Sequence, residues 1–401
     1  MDAVDFKALW DELSPIGRTP DGGYLRYSWS EADQACRNWF RAQADHRGME
    51  VETDRNSNLY AWWGQPHDGD AVLTGSHFDS VPHGGAYDGP LGIASAFLAI
   101  DALRASGATP RRPIGVVAFA EEEGGRFGVP CLGSRLMTGA LDPDRARGLT
   151  DSHGITLAEA MEENAADPTI LGADPERLAA IGAFVELHIE QGRVLEGQNA
   201  PVGVASAIWP HGRWRFTFTG EADHAGTTAF ADRCDPMLTA AFMVLAARKE
   251  ARIAGGLATV GRLEADPGAA NVIPGAVRAW LDARAPEEAV LSQILDAVRS
   301  KVAERAERDR TRVLVETESE TPVVDFDGGL RDRIAALLGG APVLATGAGH
   351  DAGVLAAHVP AAMLFVRNRT GVSHAPAEEA TDEDCAAGVE ALATVLRELA
   401  C

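Results

Sequence analysis

Residues 71–107 read AVLTGSHFDSVPHGGAYDGPLGIASAFLAIDALRASG, and this stretch decides the fold. Ala71 to His77 is an apolar run that ends in polar residues, the pattern of a buried strand. Pro90 stands where a helix can begin, and LGIASAFLAIDALRAS carries that helix to Gly107, a natural residue just past a helix end. A second apolar strand follows at Ile114 to Ala120 (IGVVAFA), and a third at Ala183 to Ile189 (AFVELHI). Buried strands alternating with a helix predict an α/β domain whose mostly parallel sheet is covered on both faces. Upstream, Ser28-Trp29-Ser30-Glu31 has the Ser-x-x-Glu spacing of a capping box and predicts a helix running to about Ala44.

The character of the chain changes near residue 205. Arg213 to Thr219 (RWRFTFT) alternates, as a strand with one wet face does. A helix from about Pro236 to Arg248 follows, then strands at Ala258–Leu263 and Ala276–Arg284. A second helix at Glu287–Ala306 and a strand at Val313–Glu316 complete a β-α-β-β-α-β order, the split βαβ of a ferredoxin-like domain. The α/β character returns after Thr321, with helices at Leu330–Leu338 and Asp382–Leu399. The predicted organisation is an α/β domain in two pieces, 1–205 and 320–401, interrupted by an α+β domain at 206–319.

Composition narrows the function. The 401 residues hold 36 Lys+Arg against 59 Asp+Glu, a net charge of −23, which repels nucleic acid and anionic membranes as partners. The hydrophobic fraction of 46% and charged fraction of 24% are those of a globular domain, not of a disordered chain. Five scattered cysteines, never in a C-x-x-C spacing, argue against a disulfide framework or a thiolate zinc site. Met1 to Trp10 carries two aspartates and lacks the basic and apolar segments of a signal peptide, so a cytoplasmic location is expected.

The histidines carry the chemistry. His77 and Asp79 project to one side of the strand end, and a metal-bound imidazole commonly gives its second N–H to a carboxylate. Asp88 sits in Tyr87-Asp88-Gly89, just ahead of the Pro90 helix. Glu121-Glu122-Glu123 follows the strand IGVVAFA, at the edge where open α/β sheets place their sites. His188 ends the third strand, and His374 follows the apolar run Ala362–Val366. Three imidazoles and two carboxylates suit zinc, manganese, cobalt or nickel, and five ligands fit two metals sharing one carboxylate. A spare glutamate beside a ligand glutamate is what metal-assisted hydrolysis needs as general base. Spacing alone leaves open which glutamates of the triple take these roles.

The runs GSHFDSVPHGGAYDGPLG, EEEGGRFGVPCLGSR, ELHIEQG, GEADHAGTT, ANVIPG, TGAGHDA and GVSHAPAE, in that order across residues 75–378, resemble the hydantoinase/carbamoylase amidases of the M20 metallopeptidase group. The resemblance implies a zinc-peptidase-like catalytic domain with an inserted lid that forms a homodimer. It implies two divalent ions (Zn2+, or Mn2+, Co2+ or Ni2+), with Asp88 bridging, His77 and His188 on different ions, and Glu123 and His374 completing the set. Glu122 is then the general base, and the Asp79 carboxylate orients His77. His224 comes from the partner's lid to stabilise the oxyanion. Gln191, Asn271, Arg284, Thr346 and Gly347 hold the substrate, with Arg284 gripping its carboxylate. His350 and Asp351 are read as opening a helix and shaping the pocket. The implied reaction is hydrolysis of an N-carbamoyl-L-amino acid to the amino acid, carbon dioxide and ammonia. Allantoate and N-carbamoyl-β-alanine are the nearest alternatives, then an acyl-amino-acid or peptide bond, and last a non-catalytic metal-binding relative.

Overall fold

The computed structural model describes residues 3–67 and 69–401. The first strands are β1 (Glu50–Thr53), β2 (Leu59–Trp63), β3 (Ala71–His77), β4 (Ile114–Phe119), β5 (Ile181–Ile189) and β6 (Val202–Ile208). Next come β7 (His211–Thr219), β8 (Asp223–His224), β9 (Leu257–Asp266), β10 (Val272–Ile273), β11 (Ala276–Arg284) and β12 (Arg312–Thr321). The last are β13 (Val324–Asp325), β14 (Val343–Thr346) and β15 (Ala361–Val366). The chain divides into two compact units: one ends at Ala207 and resumes at Asp325, and the other is Ile208–Val324.

A nine-stranded sheet runs in the order β1-β2-β4-β3-β5-β15-β6-β13, with β14 beside β6. Its centre, β4-β3-β5-β15, is parallel throughout. The flanks are antiparallel, at β1–β2, β2–β4 and β15–β6. Every residue of β3, β4 and β15 is buried, which is why these strands are continuous apolar runs without alternation. Leu91, Ile93 and Phe97 from the helix Pro90–Ala105, and Leu392 and Val395 from the helix Asp382–Ala400, share one core with Val72, Val116, Leu187 and Leu364. Each such side chain contributes about 1.5–3 kcal/mol by leaving water.

The helix Pro90–Ala105 starts at its proline, and Gly107 adopts the left-handed backbone just after its end. The capping box expected upstream does not form, and the helix is capped by a different serine. The helix begins at Glu31, and its cap is Ser30, whose side chain accepts from the Asp33 N–H, so Ser28 does not serve. Asp33 replaces the expected glutamate, and its carboxylate receives the Trp29 N–H at 2.8 Å and Arg37 Nε at 3.0 Å. The carboxylate thus reaches the residue before the cap, while the Ser30 N–H itself goes to the Tyr27 carbonyl.

In the second unit, β7, the helix Pro236–Ala254, β9, β11, the helix Glu288–Asp309 and β12 follow one another. The sheet order is β12-β7-β11-β9 with every neighbour antiparallel, the ferredoxin-like arrangement. Alternation along β7 sends Trp214, Phe216 and Phe218 into a core with Val277, Leu281 and Ile294. Arg213 and Arg215 take the opposite face. β8 and β10 form a separate two-stranded ribbon. Among the described residues no helix is long and apolar enough to cross a membrane.

Candidate metal centre

Because β4, β3, β5 and β15 are parallel neighbours, their carboxyl ends share one edge, and the loops leaving them meet there. His77 closes β3, Glu121-Glu122-Glu123 follow β4, His188 is the penultimate residue of β5, and His374 lies in the loop after β15. Asp88 stands ahead of the helix that follows β3. These positions, 297 residues apart at their extremes (374 − 77), converge on the Asp88 carboxylate.

His188 Nε2 lies 3.2 Å from Asp88 Oδ1, and His77 Nε2 lies 3.7 Å from the same oxygen. On the other oxygen, Oδ2, sits His374 Nε2 at 3.4 Å, itself 3.2 Å from Glu123 Oε2. Asp88 thus joins two donor groups, His77–Asp88–His188 and Asp88–Glu123–His374, each compact enough to hold a metal ion. Gly89 is required beside it. Its φ is +86°, and a Cβ there would lie 2.5 Å from the His77 ring.

The donor atoms suit a cation. His77 Nδ1 donates to the Asp79 carbonyl oxygen at 3.0 Å and His188 Nδ1 to the Ile189 carbonyl oxygen at 2.9 Å, which turns each Nε2 toward Asp88 as a lone-pair donor. Both Nε2 atoms, and Glu123 Oε1, are buried with no hydrogen-bond partner among the described residues. Buried polar atoms are rarely left unpaired, and an N/O donor set of this kind fits a divalent ion.

Proton affinities tell the same story. Burial pushes the His77 imidazole down to about 4. Burial works the same way on His188, but the Asp88 and Glu186 carboxylates beside it together outweigh that and lift the group to about 9. Hydrogen bonds to Asp88 and Glu123 lift His374 to about 10. Burial alone would raise the Asp88 carboxyl, yet the imidazoles of His188, His374 and His77 around it together hold it well below the usual range. The carboxylates draw positive charge to this spot, whether as protons on imidazoles or as a metal cation.

Glu122 and Glu123 face the histidines, while Glu121 turns into the following loop, where its Oε1 accepts from the Arg126 and Phe127 N–H groups at 2.9 and 2.8 Å. Glu122 Oε2 is 3.6 Å from His77 Nε2, and the Cys131 thiol donates to its Oε1 at 3.4 Å. Burial, together with Asp351, Glu123 and Asp79 close by, pushes the Glu122 carboxyl well above the ordinary carboxylate range. Three of the nine left-handed non-glycine residues described, Glu121, Cys131 and His374, ring this cluster.

Asp79 does not act through the atoms expected. Its carboxylate accepts the N–H groups of Glu122 at 3.0 Å and Glu123 at 2.9 Å, and stands 3.6 Å from His77 Nδ1, which bonds the Asp79 carbonyl instead. Gln191, expected against substrate, donates from Nε2 to Asp88 Oδ2 at 2.9 Å and to Ser373 Oγ at 3.1 Å. Thr346 closes β14, where its hydroxyl accepts from the Ala348 N–H at 3.0 Å, and Gly347 follows it. In the second unit, His224 of β8 pairs opposite Val272 of β10, and the Asn271 carbonyl accepts from the Ala225 N–H at 3.0 Å, so His224 and Asn271 are neighbours. His224 is exposed and its Nδ1 accepts from the Gly226 N–H. Arg284 closes β11 in the four-stranded sheet, its Nε on Asp282 at 2.9 Å.

Sequence reasoning missed a second tier behind the histidines. His350 does open the helix Asp351–Leu355, but its buried ring also packs 4.5 Å from that of His188, and Glu186, His188 and His350 form a third group of metal-ligand type. The signal for Glu186 was present, because Glu-x-His on a strand puts both side chains on one face just as His-x-Asp does. A cleft of about 250 Å³, lined by residues that include Trp29, Arg37 and Asn164, contains none of these groups. Chemistry, not concavity, marks the site.

Comparison with known proteins agrees. The family described as Peptidase family M20/M25/M40 matches residues 73–398. The N-carbamoyl-L-amino acid amidohydrolase of Geobacillus stearothermophilus is 38% identical over 410 residues, covering 99% of either chain. The allantoate amidohydrolase of Escherichia coli K12 is 34% identical over 99% of this chain and 98% of its own. A crystal structure of a hydantoinase/carbamoylase family amidase from Burkholderia vietnamiensis superposes with a TM-score of 0.88 at 31% identity, over 100% of this chain and 98% of that one. With the metal-ligand groups at the strand ends and similarity along its whole length, the chain belongs to the divalent-metal-dependent peptidase family M20/M25/M40 and, within it, to the hydantoinase/carbamoylase amidases, hydrolases of C–N bonds other than peptide bonds.

Proposed function

We propose that this protein hydrolyses the ureido C–N bond of an N-carbamoyl-L-amino acid, releasing the amino acid, carbon dioxide and ammonia. The observation that carries the reading is the Asp88 carboxylate set between two donor groups, with the buried Glu122 carboxyl 3.6 Å from His77 beside them. The substrate class rests on the similarity to the Geobacillus N-carbamoyl-L-amino acid amidohydrolase. Allantoate is the second reading, since the 34% identical Escherichia coli relative acts on it.

His77, Asp88, His188, Glu123 and His374 would hold two divalent ions. Such ions make water acidic enough to attack at neutral pH and polarise the carbonyl oxygen. Glu122, whose Oε2 lies 3.6 Å from His77 Nε2, takes the proton of the attacking water and passes it to the departing nitrogen. Asp79 keeps Glu122 in place through the backbone N–H it accepts. Arg284 grips the substrate carboxylate, and the side chain of His224 donates to the oxygen that gains charge. Gln191, Asn271, Thr346 and Gly347 line the remaining polar edge of the substrate.

His224 acts across a homodimer in this reading. The helix Pro236–Ala254 supports that, because Leu238, Leu245 and Ile253 are exposed along one side of it, and the edge strand β9 exposes Leu257 and Leu263.

Ammonia release from the Mn2+- or Zn2+-loaded protein tests the proposal. The panel is several N-carbamoyl-L-amino acids, allantoate and N-carbamoyl-β-alanine, with N-acetyl amino acids and a dipeptide beside them. Release from an N-carbamoyl-L-amino acid, abolished by chelator, is the expected result. Turnover of allantoate alone moves the assignment to the second reading, and cleavage confined to the acyl or peptidyl compounds overturns both.

A further inference from the structure

The segment Gly371–Glu378 (GVSHAPAE) supplies His374, but it also ends in a glutamate to which the chemistry above gives no task. Glu378 is only 6% exposed. Its Oε2 accepts two backbone N–H groups, from Tyr87 at 2.7 Å and from Asp88 at 3.1 Å. The turn that carries it is closed by the Glu378 N–H on the Ala375 carbonyl, at 3.1 Å. His374 and Glu378 therefore reach Asp88 from one short turn, the imidazole toward its carboxylate and the glutamate at its backbone. Ser373, on the same turn, donates to Asp88 Oδ2 at 3.1 Å.

The opposite wall is shaped to admit that carboxyl group. A Cβ on Gly85 would lie 2.3 Å from Glu378 Cδ and Oε2 and 2.7 Å from Oε1. Gly85 does not have a left-handed backbone, so the requirement is for space alone. The atoms in that space are the far end of a side chain, which a methyl group would displace without disturbing the backbone.

We infer that Glu378 is a positioning residue that latches the Tyr87–Asp88 backbone, presetting the Asp88 carboxylate between His188 and His374, and that Gly85 is glycine to make room for the latch. This rests on the reading of Asp88 as the shared metal ligand. Outer groups that orient a ligand typically account for a 10–100-fold difference in metal affinity. Two buried N–H groups left without an acceptor would let the Asp88 loop seek other partners.

The test is a competition titration of the metal-stripped protein with Zn2+ against a fluorescent chelator, on Glu378→Ala, Glu378→Gln, Gly85→Ala and the Glu378→Ala/Gly85→Ala double variant. Melting of each metal-free variant reports whether it folds. Glu378→Gln keeps an oxygen that accepts both N–H groups, and is expected to bind within about 3-fold of the parent. Glu378→Ala and Gly85→Ala should each lose about 10–100-fold in affinity. The double variant should lose no more than Glu378→Ala, because the methyl enters a space already emptied. Parent-like binding by Glu378→Ala, or losses that multiply in the double variant, would overturn the latch. If Glu378→Ala does not fold, Gly85→Ala against Glu378→Gln decides the same question. Asp88→Asn is titrated beside them: unchanged binding there overturns the shared-ligand reading and the latch with it. A large loss in Asp88→Asn with none in Glu378→Ala or Gly85→Ala overturns the latch alone.

Discussion

The carboxyl edge of the nine-stranded sheet and the open face of the four-stranded sheet are both crowded with charge, and they handle it in opposite ways. On the four-stranded sheet charges pair across neighbouring strands, Arg215 with Glu316 at 2.9 Å and Arg213 with Asp282 at 3.2 Å. Those side chains stay partly in water, where solvation carries most of the cost. At the strand ends, Asp79, Asp88, Glu122, Glu186, Asp351 and Glu378 are buried, and the imidazoles among them present nitrogen atoms without a hydrogen-bond partner among the described residues. A charged face that satisfies itself is a surface. A buried one that does not is a binding site.

The sharpest way to break this contrast is to remove one charge from the buried side. Glu122→Gln is isosteric but cannot take a proton, so kcat should fall about 10²–10⁴-fold while metal content stays at the parent level. Steady-state kinetics with metal analysis of the same sample checks this, and an unchanged kcat removes Glu122 from the role of base.

Next in size is removal of the metal. At a free ion concentration about 1,000-fold above Kd, binding adds about 4 kcal/mol of stability to the folded state. Hydrogen exchange should show β3 and β5 losing protection on chelation while β7 and β11 keep theirs. Equal loss in both sheets would mean that the ion does not distinguish the two regions.

The smallest effect belongs to the open face. Arg215→Ala and Glu316→Ala should each cost under about 1 kcal/mol in urea unfolding, with a weak coupling in the double variant that salt screens further. A coupling of several kcal/mol would show that the exposed sheet is as dependent on its charges as the buried edge.

Much of this was legible in the sequence because parallel strands advertise themselves. AVLTGSH, IGVVAFA and AFVELHI are largely apolar, and polar residues at or just past the end of each must lie on the edge where such sheets keep their sites. The candidates His77, Asp88, His188, His374 and one glutamate of the triple could therefore be named before any coordinates, whereas the choice of Glu123 came only from the family resemblance. The finer bonding was not legible. His-x-Asp suggested a carboxylate on the imidazole, yet the Asp79 carboxylate accepts from a loop that follows another strand, and two N–H donors from Glu122 and Glu123 outcompete one ring nitrogen. Ser28 and Ser30 both precede Glu31, and the cap fell to Ser30 because Asp33, not Glu31, closes the turn. His350 was read for its place at a helix start, and no local pattern announces that its ring packs on His188.

By itself the sequence pointed to the class of β3, β4, β5, β7, β9, β11 and β12, to the interruption of the α/β unit by an α+β unit, and to the kinds of donor atom available to a metal. Those properties depend on periodicity and residue chemistry, which are local. Only the tertiary structure decided which oxygen of Asp88 faces which imidazole, that Gln191 and Ser373 bond to that carboxylate, and that Glu378 and Gly85 meet across 293 residues (378 − 85). Such contacts arise where loops from separate strands fill one volume, and close packing within that volume, not sequence spacing, selects the atoms that touch.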